Sequence, residues 1–317
     1  MRQMVDQLRQ MADQRRNGAL LDIVIVTSTG ARELLRDCLR SLQEHPLTAG
    51  GQAVYVTDNA CGDQTAEMVH EEFAGVNVVT VARQESFPAA NNLWLRRPIA
   101  PFALLLNPDT EVTSSALDHM VRVMLERPDV GVSGCRLVQR DGTFDHAAKR
   151  SFPTPIGALA HFTGVGRRVG AHPKLAQYRA PEVDEYGAGE VDAVNGAFML
   201  VRREAMEEIG LMDENYPTPG MEDLDWCYRF KERGWKIWYE GGTSVIHVKG
   251  GVTVDQRARR RYRNLRHNVA FHRSIGRFYR KFYAGKSPVL DVAVYLAIAV
   301  KLLIAISRSA VARRRLT

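Results

Sequence analysis

The fold is decided by the run Phe102-Ala103-Leu104-Leu105-Leu106-Asn107-Pro108-Asp109-Thr110. Its five apolar residues are too few for a helix and are typical of a strand buried on both faces of a parallel sheet. Polar and turn-forming residues follow, so the strand ends before Asn107. Because such sheets bind ligands beyond the carboxyl ends of their strands, Asp109 lies where a functional carboxylate is expected.

Strands and helices alternate on both sides of this run. Strands are predicted over 22–27, 53–57, 76–81 and 102–106, and a fifth begins at residue 130. Helices are predicted over 32–44, 64–73 and 114–126, with another through 91–94. The alternation predicts an α/β fold with a mostly parallel central sheet flanked by helices.

The second half of the chain departs from this alternation. Residues 138–186 have weak periodicity and are rich in Gly, Pro, His and Arg, which predicts long loops over a site. The patterns that follow predict a strand over 191–201, helices over 204–209 and 222–233, and short strands over 236–239 and 244–247.

The 317 residues divide into three parts. Apolar residues at helical spacing predict an N-terminal helical extension over 1–21, in place of a secretion signal. The α/β domain follows over 22–255. Residues 256–317 are predicted to form a basic helical tail, with one helix over 257–283 and an apolar one over 289–306.

Charge is distributed unevenly along the chain. The net charge of +7 combines +15 from Arg257 to the end with −8 over the remainder. Such a tail suits an anionic surface, either a membrane leaflet or nucleic acid, and its interleaved aromatic residues fit single-strand binding as well. The apolar stretch over 289–306 favours a membrane over nucleic acid as the partner of the tail. Because it contains Asp291 and Lys301, an interfacial or half-inserted helix is favoured over a full span.

Several kinds of site are disfavoured by motifs that the sequence lacks. There is no GxGxxG after the first strand and no GxxxxGK[ST], which argues against a dinucleotide oxidoreductase and a P-loop enzyme. The four cysteines form no CxxC pair, so free thiols are expected rather than a zinc site. A nucleotide bound here would need something other than backbone amides to neutralise its phosphates, and Mn²⁺ or Mg²⁺ would do so.

Two aspartates at predicted strand ends are candidates for binding. Asp58 either accepts hydrogen bonds from a ribose or base, or belongs to the turn before the next helix. Asp109 either ligates a metal ion or forms a turn with Pro108.

The acidic cluster Glu222-Asp223-Leu224-Asp225 opens a predicted helix. Acids in a first turn are stabilised by the helix dipole, but one of them can also serve as a general base. Asp225 and Arg229 are four residues apart and are spaced to pair with each other. His247 ends a predicted strand and is either structural or a metal ligand.

In their order along the chain, these segments resemble the family 2 glycosyltransferases, which have the GT-A fold. The resemblance covers residues 22–253. Its matching segments are 23–27, 58–59 with 63, 87–92, 105–110, 195–197 with 200–203, 210 with 213–214, 222–225 with 229, 234–235 and 246–247. The spacing and the tail are most similar to bacterial rhamnosyltransferases that act on lipid-linked acceptors in envelope polysaccharide assembly.

The resemblance implies a donor site for a nucleoside-diphosphate sugar. Thr27 and Asp58 would contact the nucleoside, with Asn92 and Asn107 among the donor-binding residues. Asp109 would hold Mn²⁺ or Mg²⁺ on the donor pyrophosphate.

The remaining implied roles concern the metal and the acceptor. His247 would be a second metal ligand. Asp223 would be the general base, ahead of Glu222, in a direct displacement that inverts the anomeric centre. The acceptor would be a hydroxyl of a glycan or polyprenyl-linked molecule.

The resemblance and the tail together place the enzyme in the cytoplasm, peripheral on the inner face of the plasma membrane. A homodimer stays open, and no nucleic acid is expected as a partner. The alternatives are a sugar-phosphate nucleotidyltransferase, which uses a similar sheet and metal, and a nucleic-acid-binding protein that uses the basic tail.

Overall fold

A computed structural model describes residues 19–97, 100–154, 180–218, 220–248 and 265–314. Most of the predicted N-terminal helix, the predicted loops over 155–179 and the start of the predicted tail helix lie outside these residues. The first strand, β1 (Ala19–Thr27), begins earlier than predicted. Residues 19–21 were expected in the helical extension, but they belong to the buried sheet.

The other strands and the helices follow in chain order. The strands are β2 (Gly51–Asp58), β3 (Asn77–Thr80), β4 (Phe102–Leu106), β5 (Thr110–Glu111), β6 (Val130–Val138), β7 (Lys149–Arg150), β8 (Ala188–Val191), β9 (Ala193–Val194), β10 (Phe198–Arg202) and β11 (Lys236–His247). The helices are α1 (Arg32–Glu44), α2 (Thr65–Glu72), α3 (Phe87–Leu95), α4 (Ala116–Glu126), α5 (Arg203–Ile209), α6 (Glu222–Glu232), α7 (Leu265–Phe282) and α8 (Pro288–Arg314).

The central sheet is mostly parallel, as predicted. Its order is β3-β2-β1-β4-β10-β6-β11-β5, with β8 also paired to β11. The pairs among β3, β2, β1 and β4 are parallel, and all five residues of β4 are buried. However, β10 lies between β4 and β6 and is antiparallel to both, so the fifth predicted strand is not adjacent to the fourth.

The single strand predicted over 191–201 is wrong. The chain bends at Asp192 and turns at Asn195, whose side chain accepts a hydrogen bond from the Ala197 N–H at 2.8 Å. Three short strands result, each with different partners. β8 pairs with β11, β9 with β7, and β10 with β4 and β6.

The two short strands predicted over 236–239 and 244–247 form one strand, β11. The Gly241-Gly242 pair between them does not end the strand, because β6 keeps pairing on both sides of a register shift. The continuous strand carries His247 to the edge of the sheet, where it lies opposite Thr110 of β5.

The tail helix α7 packs its aromatic side chains against the α/β domain. Phe278 and Phe282 contact Tyr228 of α6, with ring centroids 6.0 and 4.1 Å away. Gly220 has a φ of +125°, and a side chain there would meet the Phe271 ring of α7 at 3.1 Å.

This packing bears on the alternative that the tail binds nucleic acid. Binding of a single-stranded nucleic acid needs exposed aromatic rings. The burial of Phe278 and Tyr279 therefore argues against the nucleic-acid alternative.

Two basic residues of α7 form salt bridges with acids of the domain. Arg277 lies 3.1 Å from Asp213, and Lys281 lies 3.1 Å from Asp213 and 2.6 Å from Asp225. The expectation that the tail's charge faces an anionic surface is therefore wrong for these two residues.

The last helix, α8, lies along α7. The Tyr279 hydroxyl donates to Asp291 at 2.6 Å, and Val294 and Ile298 are buried against α7. Large apolar side chains on α8 are exposed: Val289, Val292, Tyr295, Leu296, Val300, Leu303 and Ile304. Among the described residues, Pro288–Ser307 is the one helical segment long and apolar enough to cross a membrane.

Candidate active site

Asp109 and His247 meet at the edge of the sheet. Asp109 follows the buried strand β4, and the next residue, Thr110, pairs with His247. The Val248 N–H also donates to the Asp109 carbonyl at 2.8 Å. As a result, Asp109 Oδ1 and His247 Nε2 lie 3.5 Å apart, and both side chains are buried.

A second carboxylate lies on the other side of the His247 ring. Asp145 Oδ2 is 3.2 Å from His247 Nδ1, and the Asp145 side chain is fully buried. Burial by itself lowers the pKa of His247, but its interactions with Asp109 and Asp145 outweigh this and raise the pKa to about 9. The two carboxylates therefore favour a positive charge at this site, either on the imidazole itself or on a cation beside it.

The Asp109–His247 pair fits a divalent cation that also binds donor phosphates. Mg²⁺ and Mn²⁺ accept carboxylate oxygens and imidazole nitrogen, and Mg²⁺ commonly uses one or two carboxylates together with substrate phosphates. No group of three or more His, Cys, Asp or Glu side chains able to hold a metal ion is found in the described part of the chain. A cation held by this pair alone would keep coordination positions for other ligands, in contrast to a closed structural site.

Thr27 and Asp58 are neighbours at the carboxyl edge, in register across β1 and β2. The Thr27 side chain is fully buried, whereas Ser28 beside it is only half-buried. Asp58 accepts hydrogen bonds from the Cys61 N–H at 2.9 Å and the Thr80 hydroxyl at 3.2 Å. The turn role of Asp58 is thus confirmed, and its nucleoside contact stays a prediction, since a carboxylate has further lone pairs.

The two predicted donor asparagines lie in different settings. The buried Asn92 amide donates to the Met212 carbonyl and to Glu214, each at 2.9 Å, so it ties α3 to the chain before α6. Asn107 is half-buried directly after β4, and its N–H donates to the Ala197 carbonyl at 3.0 Å. Their contacts with a donor stay predictions.

Asp223, the predicted base, lies in the first turn of α6 and is paired with an arginine. Arg150 Nη2 donates to Asp223 Oδ2 at 2.5 Å and to the Val194 carbonyl at 2.7 Å. The Leu224 N–H donates to the other carboxylate oxygen, Oδ1, at 2.8 Å. The carboxylate is therefore buried, charge-compensated and held in one orientation.

Glu222 has a different environment from its neighbour. Its Oε2 accepts from the N–H groups of Gly220 at 2.6 Å and Met221 at 2.9 Å. Burial, followed by the charge of Asp223, raises the pKa of Glu222 to about 8. Glu222 therefore ionises less readily than an ordinary glutamate, and Asp223 is the better candidate for the residue that accepts a proton.

Asp225, the third acid of the cluster, is structural. Its fully buried carboxylate accepts from the Tyr216 hydroxyl at 2.9 Å, from Arg229 at 2.8 Å and from Lys281 at 2.6 Å. The predicted pairing of Asp225 with Arg229 is confirmed, and Lys281 connects the same carboxylate to the tail.

Sequence reasoning missed Asp145 and Arg150. Both lie in the stretch 138–186, which has weak periodicity, and their partners are far along the chain. The short strand β7 carries Arg150 to β9 and α6, while the turn before β7 carries Asp145 to His247. One segment, residues 145–150, therefore contacts the metal-ligand candidate at one end and the base candidate at the other.

A family model described as "Glycosyltransferase like family 2" matches residues 23–266, more than half of the chain. The chain is a family 2 glycosyltransferase. Membership in this family confirms the resemblance seen in the sequence. It favours a glycosyltransferase over the alternative of a sugar-phosphate nucleotidyltransferase.

Relatives of this family 2 glycosyltransferase include two curated bacterial proteins. The O-antigen biosynthesis protein RfbC of Myxococcus xanthus is 27% identical over 231 residues, which are 71% of this chain and only 17% of the relative. The N-acetylglucosaminyl-diphospho-decaprenol L-rhamnosyltransferase of Mycobacterium tuberculosis is 24% identical over 248 residues, 74% of this chain and 78% of the relative.

Solved structures confirm the GT-A fold of the family 2 glycosyltransferase. The mannosyltransferase PcManGT from Pyrobaculum calidifontis, solved with GDP-Man and Mn²⁺, matches with a TM-score of 0.53 at 16% identity. The match covers 97% of this chain and 80% of the mannosyltransferase. At this identity the likeness establishes the fold alone.

Proposed function

We propose that the protein is an inverting, divalent-metal-dependent glycosyltransferase that moves a sugar from a nucleoside-diphosphate donor to a hydroxyl of a glycan or lipid-linked acceptor. The observation that carries the proposal is the buried Asp109–His247 pair beyond strand β4. Buried carboxylate and imidazole side chains with room for further ligands suit a cation shared with a pyrophosphate. The presence of Mn²⁺ and GDP-Man in the Pyrobaculum mannosyltransferase supports this choice.

Each side chain has one task in the proposed reaction. Asp109 and His247 would hold the cation, which would neutralise the charge that builds up on the departing nucleoside diphosphate. Asp223 accepts the proton of the acceptor hydroxyl as its oxygen bonds to the anomeric carbon and the bond to the diphosphate breaks. Arg150 keeps the Asp223 carboxylate in place. No covalent intermediate is needed.

The relatives guide the choice of substrates. The Mycobacterium relative is named as a rhamnosyltransferase acting on N-acetylglucosaminyl-diphospho-decaprenol, and the Myxococcus relative as an O-antigen biosynthesis protein. We therefore propose rhamnose as the transferred sugar and a polyprenyl-diphosphate-linked N-acetylglucosamine as the acceptor, in the synthesis of a cell-envelope polysaccharide.

The exposed apolar side chains of α8 support peripheral attachment to a membrane. Residues 290–298 of α8 lie along α7, which is itself bound to the α/β domain through Lys281 and Phe278. A helix held along the domain surface suits an in-plane or half-inserted position more than an upright span. The proposed location is the cytoplasmic face of the plasma membrane, where lipid-linked acceptors are within reach.

Thermal-shift measurements with UDP-, dTDP- and GDP-sugars, each with and without Mn²⁺, test the proposal. A ligand that binds only the folded state raises the melting temperature. We expect one donor class to stabilise the protein strongly only when Mn²⁺ is present, and Asp109→Asn to remove the Mn²⁺-dependent part. Asp37→Asn, at an exposed carboxylate, is the control. Absence of stabilisation by every donor would contradict the proposal.

A further inference from the structure

We propose that Asp145 is the positioning residue of the metal centre: it holds the His247 ring so that Nε2 points at the cation shared with Asp109. The inference rests on the proposed metal-dependent function and adds a residue that does not itself touch the cation. It is carried by the 3.2 Å contact between Asp145 Oδ2 and His247 Nδ1 and by the complete burial of the Asp145 side chain.

Asp145 is fixed by its own turn. Its Oδ1 accepts from the Ala147 N–H at 2.9 Å, its N–H donates to the Leu137 carbonyl at 2.9 Å, and its carbonyl accepts from the Ala148 N–H at 2.9 Å. The other carboxylate oxygen is the one directed at His247. A carboxylate anchored in this way is a rigid acceptor for an imidazole N–H.

The contact determines which histidine nitrogen is available. An acceptor at Nδ1 keeps a ring proton on that nitrogen, so Nε2 is the nitrogen whose lone pair a binding cation would take. Nε2 is also the atom that lies 3.5 Å from Asp109. The buried negative charge behind the ring increases the electron density that Nε2 can donate.

Asparagine at position 145 keeps the size of the side chain and can still accept from the Ala147 N–H. It would then direct an amide N–H at Nδ1, so the ring would place its proton on Nε2 and block the metal position. A purely structural role in the turn would leave metal affinity unchanged in this variant. Metal affinity therefore distinguishes a positioning role from a structural one.

The experiment measures Mn²⁺ binding to the full-length protein from the EPR signal of free Mn²⁺, without any sugar nucleotide. For Asp145→Asn we expect an affinity about 10- to 100-fold weaker than wild type, the usual effect of losing such a partner. Asp141→Asn is the matched control, because Asp141 is an exposed aspartate in the same connection and bonds only within its own turn. Its affinity should equal that of wild type.

The possible results separate this inference from the proposed function. If wild type binds Mn²⁺, His247→Gln does not, and Asp145→Asn binds within twofold of wild type, the positioning role is overturned and the metal centre stands. If wild type binds no Mn²⁺, both are overturned. If Asp145→Asn does not fold, nitrogen NMR of Mg²⁺-loaded wild type decides, with His247 assigned by His247→Gln. A proton on Nδ1 supports the inference, and a proton on Nε2 overturns it.

Discussion

Arg150 donates a hydrogen bond to Asp223 at 2.5 Å, and both side chains are buried between β7 and the first turn of α6. Removing one member of such a pair leaves the other charge without compensation in a medium that solvates it poorly. The pairing therefore makes Arg150 important for the stability of the fold as well as for the orientation of the proposed base.

Arg150→Met should lower the free energy of unfolding by about 3–5 kcal/mol, because it leaves the buried Asp223 carboxylate without its counter-charge. Urea unfolding at neutral pH measures the change. The matched control is Arg140→Met, since Arg140 pairs with Glu111 at the exposed surface, where such pairs contribute up to about 1 kcal/mol. Equal losses in the two variants would contradict a buried, energetically important Arg150–Asp223 pair.

Glu222 should make stability fall as the pH rises. Burial and the charge of Asp223 raise the pKa of Glu222 from 4.5 to about 8, so the folded chain holds this proton more tightly than the unfolded chain. The stability that Glu222 contributes is therefore fully present at pH values below its pKa in the unfolded chain. It is lost as the pH rises toward its pKa in the folded chain, by up to about 1.4 kcal/mol per pH unit.

Glu222→Gln should remove this decline, because glutamine keeps an acceptor for the Gly220 N–H and does not titrate. Urea unfolding of wild type and variant at about pH 5.5 and about pH 8 measures it. The variant should gain stability relative to wild type at the higher pH. A difference between the two proteins that does not change with pH would contradict the raised pKa of Glu222.

Lys281 should hold α7 against the domain. Lys281→Met removes the bonds to Asp213 and Asp225, so we expect a loss on the order of 1 kcal/mol and faster amide exchange over 265–282. Hydrogen exchange read by mass spectrometry localises the effect. Lys286→Met, at an exposed position beyond α7, is the control. Unchanged exchange in the Lys281 variant would mean that the aromatic contacts alone hold the helix.

The outward face of α8 should bind lipid. Replacing Val292, Leu296 and Leu303 by glutamine removes exposed apolar side chains without touching Val294 and Ile298, which face α7. We expect at least about tenfold weaker co-sedimentation with anionic vesicles. Arg280→Gln with Lys286→Gln should weaken binding only where the vesicles are anionic. Unchanged co-sedimentation of the apolar variant would remove the membrane role of α8.

Much of the first half of the fold can be predicted from local patterning. The helix over 32–44 and the strand over 102–106 match the structure residue for residue. In α1 the buried Leu35, Cys38, Leu39 and Leu42 recur at the spacing of one helix face. The five buried residues of β4 are one unbroken apolar run.

The direction and partner of a strand are not encoded locally. An apolar run such as that of β10 has the same composition whether it lies parallel or antiparallel to its neighbours, so its insertion between β4 and β6 cannot be foreseen. Gly241-Gly242 has the composition of a turn. The pairing of β6 with β11 on both sides of it overrides that preference.

The candidate active site, like the fold, can be predicted from the sequence only in part. Asp109 can be singled out because it directly follows an apolar strand, whereas its closeness to His247 follows from the resemblance and not from spacing. Asp145 and Arg150 carry no local signal, since their partners lie on β11 and α6. In the sequence, Arg277 and Lys281 are typical of a solvent-exposed basic face. Their salt bridges with Asp213 and Asp225 are visible only in the structure.

Sugar transfer by Asp223→Asn distinguishes the roles proposed for Asp223 and Glu222. The assay uses the donor identified by thermal shift and the proposed lipid-linked N-acetylglucosamine acceptor, with Glu222→Gln alongside. Asp223→Asn should lose about 10²- to 10⁴-fold in turnover while binding the donor as wild type does. Near-normal turnover by Asp223→Asn, with the loss found in Glu222→Gln instead, would show that Glu222 and not Asp223 is the general base.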